Sequence, residues 1–95
     1  MAIEYLYDAI RATTGEEVTI SAVITDDDGA VITDSCYMTL YEGVHELTKV
    51  YGAFDGEQWS FTIPTYVTVG LHGRYFYAIG RNFNDISFKT PIYFS

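Results

Sequence analysis

Apolar and polar residues alternate with period two over most of the chain. In residues 17–25, Val18, Ile20, Ala22 and Ile24 share one parity, while Thr19, Ser21 and Thr25 share the other. In 35–42, Cys36, Met38 and Leu40 alternate with Tyr37, Thr39 and Tyr41. In 57–63, Trp59, Phe61 and Ile63 alternate with Ser60 and Thr62, and in 86–94 Ile86, Phe88, Ile92 and Phe94 keep one parity. Successive side chains on a strand point to opposite faces, so each run predicts a strand with one buried and one wet face. Val, Ile, Thr, Tyr and Phe dominate these runs, as a pleated, half-buried surface favours. No segment carries the apolar stripe of an amphipathic helix.

The clusters TTGEE, DDDG, YEGVHE, FDGE, GLHG and RNFND separate the runs at a spacing of about ten residues, which suits short antiparallel strands. Strands are predicted near 3–12 (with a break), 17–25, 35–42, 46–53, 57–63, 73–80 and 86–94. They reach nearly to both ends of the 95 residues, with no internal repeat, low-complexity tract or linker. The expectation is one domain over 1–95, all-β, an immunoglobulin-like antiparallel β-sandwich of about seven strands. A chain of this size can bury one modest core.

The stretch VGLHGRYFYAIG sharpens that expectation. Leu71, Gly73, Tyr75 and Tyr77 resemble the entry to strand F of immunoglobulin-like domains, where a tyrosine hydroxyl bonds back to the preceding corner. Tyr75 takes that corner position and Tyr77 the next inward one. Trp59, Phe61, Tyr75 and Tyr77 are therefore the expected structural core. The chain departs from antibody-type domains in having no cysteine pair and in placing Trp59 on the fifth predicted strand rather than the third.

Charge narrows the partners. Thirteen acidic residues stand against five basic ones, a net charge of −8. Arg11, Lys49, Arg74, Arg81 and Lys89 are scattered, whereas neutralising phosphates needs clustered cations, so no nucleic-acid partner is expected. No apolar run approaches the ~20 residues of a membrane-spanning helix, so no membrane is expected either. The start, MAIEYLYDAIRA, lacks a basic segment followed by an apolar one and does not read as a signal peptide, which points to synthesis in a cytoplasm. Cys36 is the single cysteine; it lies in an alternating apolar run, where a buried, inert thiol is expected.

Few residues suggest chemistry. TDDDGA, residues 25–30, sets three acids in a row, whereas an EF-hand loop alternates its ligands, with glycine sixth and glutamate twelfth. Counted from Asp26, Gly29 is fourth and Tyr37 twelfth. Consecutive side chains on an extended chain diverge, so the stretch reads as a turn, and FDGE, residues 54–57, reads likewise. His45 and His72 fall in predicted turns without metal-ligand spacing. No nucleophile sits on a glycine-flanked turn. No catalytic residue, metal or cofactor is therefore expected.

The aromatic content, nine Tyr, six Phe and one Trp, points to contact. The parity of Tyr37 and Tyr41 places them on an outer sheet face. Ile3, Tyr5 and Tyr7 alternate with Glu4 and Leu6, making the first strand apolar on both faces. Ile3, Tyr5, Leu6, Tyr7, Tyr37 and Tyr41 are the candidate partner contact, since tyrosine adds contact area at low entropy cost. A sugar-binding sandwich would use the same rings.

The run VITDDDGAVITDSCYMTLYEG, with Val23, Asp26, Gly29, Val31, Cys36, Met38 and Leu40, is similar to the first hairpin of bacterial and phage immunoglobulin-like domains. GEQWSFTIPTYVTVGLHGRYFYAIG resembles small immunoglobulin-like β-sandwich structural proteins of tailed bacteriophages. The likeness spans residues 13–94. It implies a non-enzymatic virion structural protein, a capsid decoration or a tail- or baseplate-associated part, acting by protein–protein docking. Its implied partners are other virion proteins or further copies of itself, and its implied location is the virion. The alternative is a carbohydrate-binding module used in host attachment.

Overall fold

The computed structural model describes residues 2–7, 10–81, 84–85 and 89–95. Its strands are β1 (Ala2–Tyr7), β2 (Arg11–Ala12), β3 (Val18–Thr25), β4 (Cys36–Glu42), β5 (His45–Tyr51), β6 (Ala53–Phe54), β7 (Trp59–Ile63), β8 (Gly73–Arg81), β9 (Asn84–Asp85) and β10 (Thr90–Phe94). One helical turn, α1 (Thr65–Thr68), joins β7 to β8. Sheet I has the order β1-β3-β7-β6; sheet II has the order β2-β10-β8-β4-β5, with β9 beside the end of β8.

The inward parity of each strand meets in a single core. Ile20, Ala22 and Ile24 from β3, Met38 and Leu40 from β4, Phe61 and Ile63 from β7, Tyr77 and Ile79 from β8 and Ile92 and Phe94 from β10 are buried there. In immunoglobulin lettering, β1, β3, β7 and β6 stand where A, B, E and D stand. Strands β10, β8, β4 and β5 stand where G, F, C and C′ stand. The chain is an all-β sandwich of immunoglobulin-like topology, the class its alternation predicts.

Three local features differ from the sequence expectation. The break expected in the first predicted strand, 3–12, sends its two parts to different sheets. Tyr5 pairs with Ala22 but Tyr7 with Ser21, so Leu6 is an extra residue, a bulge that bends the chain. Arg11 and Ala12 then pair with Tyr93 and Phe94 in parallel, so the sandwich is not wholly antiparallel. The fourth predicted strand, 46–53, expected as one, is likewise two strands, β5 in sheet II and β6 in sheet I. Gly52 marks the crossing, and its N–H donates to Cys36 O at 2.9 Å. A Cβ at Gly52 would stand 2.6 Å from Trp59 Cε3 and 2.7 Å from Phe61 Cε1, so the crossing strand lies against the rings only because no side chain intervenes. Third, α1 contradicts the expectation of no helix. Pro64 ends β7 in extended geometry, and its carbonyl accepts from the N–H groups of Val67 and Thr68 at 3.0 and 3.2 Å. One such turn is too short to print a stripe in the sequence. In the last predicted strand, Ile86 and Phe88 lie outside the described residues.

Trp59, Phe61, Tyr75 and Tyr77 are all buried. Trp59 stacks near Phe54 and Phe61, with ring centroids 5.2 and 6.4 Å away. Its Nε1–H donates to Ile32 O at 2.8 Å, which ties the β3–β4 connection to the core. Tyr75 Oη accepts from the His72 N–H at 3.3 Å, the corner bond its position suggests. Thr68, also buried, donates to Glu16 O at 2.9 Å and pins α1 to the β2–β3 turn.

Two outcomes are expected in urea unfolding. Trp59→Ala removes a core ring and its hydrogen bond and should cost about 3–5 kcal/mol, against about 1 kcal/mol for Tyr75→Phe. Equal small losses for both would mean that Trp59 does not organise the core. Gly52→Ala should cost about 1–3 kcal/mol through overpacking against Trp59 and Phe61; wild-type stability would show that the crossing has room to spare.

Candidate functional site

The expected contact residues do not form one patch. Ile3 and Tyr5 turn inward and pack against the core, and the Tyr5 ring meets Tyr77 edge-on, with centroids 6.4 Å apart. Among the described apolar side chains of β1 that are candidate contacts, Leu6 is the one left exposed. Tyr7 pairs with Ser21 through its backbone; its side chain lies outside the described residues. The expectation that Ile3 and Tyr5 serve partner contact is therefore corrected, since they face the core. Tyr37 and Tyr41 belong to the other layer, on the outer face of sheet II.

Tyr37 also needs correction. It has the outward parity expected of it, yet it is only 4% exposed. It pairs with Gly80 on β8 and Tyr51 on β5. Its ring lies directly over Gly80, where any Cβ would collide with it. Lys49 Nζ stands 4.3 Å from the ring centroid on one side, and Tyr51 meets its edge at 6.3 Å. Period two assigns a face, but neighbours across the strands decide how much of that face is wet. Tyr41 is half-buried, with Lys89 Nζ 4.1 Å from its ring centroid.

The outer face of sheet II carries most of the chain's unusual chemistry. Arg74 stands over Phe76 at 4.9 Å, a third cation–aromatic pair on a face that already holds those of Lys49 and Lys89. Such pairs are worth about 0.5–1 kcal/mol each at exposed sites. Two further rings are open to solvent, Tyr51 at 71% and Tyr93 at 41%. The sequence reading passed over both, along with the cations. Their signal was present: Tyr93 falls between the inward Ile92 and Phe94, and Arg74 and Phe76 flank the inward Tyr75. The outer face of sheet I is different, carrying hydroxyl pairs between Thr19 and Thr62 (2.9 Å) and Ser21 and Ser60 (3.3 Å).

The acidic clusters are occupied in building turns. Asp26 Oδ1 accepts from the N–H groups of Asp28 and Ala30 at 2.9 and 3.0 Å. Gly29 supplies the positive φ of 83° that this turn requires. Asp55 Oδ1 accepts from Gln58 and Glu57 N–H at 2.8 and 2.9 Å. Those two bonds hold its carboxyl below the ordinary value. Asp34 pairs with Arg81 at 3.0 Å, and the hydrogen-bonded guanidinium lowers its carboxyl as well. Burial, aided by the Asp34 carboxylate, pushes the Cys36 thiol up to about 11, so at neutral pH it stays a thiol. His45 and His72 are exposed; His72 stands just before β8, while His45 is the first residue of β5 rather than part of a turn. An open groove of about 500 Å³ runs between β2 and the start of β3, lined by Arg11, Glu16, Glu17 and Val18 among others.

The Asp34–Arg81 pair makes a pH prediction. Asp34 titrates lower in the folded chain than its ordinary value of 3.8, so its contribution is present above that value and is lost as pH falls through the folded one. The urea midpoint of wild type should exceed that of Asp34→Asn at pH 7, and the gap should narrow as pH falls below 3.8. A gap unchanged across that range would mean that the carboxylate charge is not what Arg81 recognises. Set beside known proteins, the chain matches no family model, no curated protein and no solved structure.

Proposed function

We propose that this chain is a non-enzymatic structural protein of a phage virion, a capsid decoration or tail-associated part. It works by protein–protein docking through the outer face of sheet II. The phage context rests on the resemblance of residues 13–94 to phage structural sandwiches. The docking role rests on one observation: an acidic chain gathers aromatic rings and cations on a single sheet face, with Tyr51 and Tyr93 left open. Tyrosine and arginine are the residues that dominate binding energy at protein interfaces. The titratable groups fit a role without chemistry, since Asp26 and Asp55 are engaged by turn backbone and Cys36 is held as a buried thiol.

Geometry also favours protein over sugar. A glycan platform needs two or three coplanar rings side by side. Tyr51 lies on β5 and Tyr93 on β10, with β8 and β4 between them, and the nearest ring to Tyr51, Tyr37, is inclined to it at 67°.

The test is mass spectrometry of purified virions from the source, with wild type and a Tyr51→Ala/Tyr93→Ala variant. Wild type is expected in stoichiometric amounts. The variant should fold with an unchanged melting temperature but be incorporated at least about tenfold less, as loss of two anchor rings implies. Absence of the wild-type protein from particles, together with retention on a glycan array, would overturn the reading in favour of the sugar-binding module.

A further inference from the structure

The parallel pairing of β2 with β10 places three residues from distant parts of the chain in one row. Arg11 pairs with Tyr93, and Tyr93 pairs with Arg74. All three point outward, because Ala12, Ile92, Phe94 and Tyr75 take the inward positions beside them. The result is an exposed Tyr93 with an arginine as its cross-strand neighbour on either side, the two about 10 Å apart at their Cα atoms, two strand spacings.

These arginines differ from the other cations. Arg81 is paired with Asp34 and Lys49 with Glu46, while Lys89 Nζ reaches Gly43 O. Among the described residues, Arg11 and Arg74 have no carboxylate partner. In a chain with 13 acids and 5 bases, unpaired neighbouring guanidiniums run against the overall field. Arg74 rests its guanidinium on the Phe76 ring and Arg11 borders the groove with Glu16 and Glu17, but neither is in an ion pair, so their N–H edges can take bidentate bonds to carboxylates.

Resting on the docking reading above, we infer that the Arg11–Tyr93–Arg74 row is a binding site for an acidic, extended polypeptide segment of a partner protein. Charge complementarity selects the acid. An extended peptide sets same-face side chains about 7 Å apart, and two flexible arginine side chains about 10 Å apart can close onto such a pair of carboxylates. The peptide between them lies across the Tyr93 ring. A nucleic acid fits less well, since a row of two cations neutralises few phosphates while the rest of the chain repels the backbone.

The probe is an N-acetylated, C-amidated hexaglutamate peptide titrated into the isotope-labelled full chain and followed by amide chemical shifts. Saturable shifts are expected at Arg11, Ala12, Arg74 and Tyr93, weakening with added salt and absent with a hexaglutamine peptide. Arg11→Gln/Arg74→Gln should keep the melting temperature and weaken binding at least about tenfold. Shifts centred elsewhere, or unchanged affinity in the double variant, would overturn the site. Tighter binding of a hexathymidylate than of hexaglutamate would reassign it to phosphate. Sedimentation of the protein alone, showing self-association that the double variant abolishes, would reassign it to a second copy of this chain. The titration reads the site whether or not the protein is found in virions, so its failure is distinct from failure of the virion assignment.

Discussion

Trp59 is the contact on which the sandwich depends. It stacks on Phe61 within its own strand, on Phe54 of the neighbouring strand, and under the backbone of Gly52 where the chain passes between sheets. Its indole N–H holds the carbonyl of Ile32 in the long β3–β4 connection. One side chain thus joins a sheet, a crossing and a loop that share no strand pairing through it. In immunoglobulin domains a tryptophan on strand C packs against a disulfide between the sheets. Here the ring comes from the strand in the E position, and Cys36 has no partner. The covalent link is replaced by aromatic packing, which explains why Gly52 must be bare.

Most of the fold was legible because it obeys one rule. A strand with one buried face repeats every second residue, and β3, β4, β7, β8 and β10 show that repeat. What was not legible was set by neighbours across strands. Tyr37 has the parity of a surface residue but lies over Gly80, a residue distant in sequence. A break in the first strand was expected, but the bulge at Leu6 and the transfer to the other sheet are defined only by the registers against β3 and β10. The turn after Pro64 is shorter than any periodic signal. The candidate face was the least legible part. Arg11, Arg74 and Tyr93 look scattered until the parallel pairing of β2 with β10 brings them into one row.

Charge is distributed by task. The aspartates at 26, 34 and 55 serve the turns and one ion pair, accepting backbone N–H groups or holding Arg81. These bonds order loops whose own apolar content is small. Three of the five cations, Lys49, Arg74 and Lys89, are placed over rings of sheet II. A net charge of −8 thus conceals a face on which Lys49, Arg74 and Lys89 gather over aromatic rings.

The parallel contact of β2 with β10 has a mechanical consequence. Tyr93 N–H bonds to Ile10 O, Ser95 N–H to Ala12 O, and Thr14 N–H to Ser95 O, at 2.9, 3.1 and 3.1 Å. Tension applied to the two ends of this segment pulls β2 and β10 past each other along their length. In that shearing geometry the bonds are loaded together and must break together. Strands pulled apart from one end would instead yield bond by bond, at lower force. The same short pairing that aligns the arginine row therefore acts as a clasp against shear between the first and last strands of sheet II.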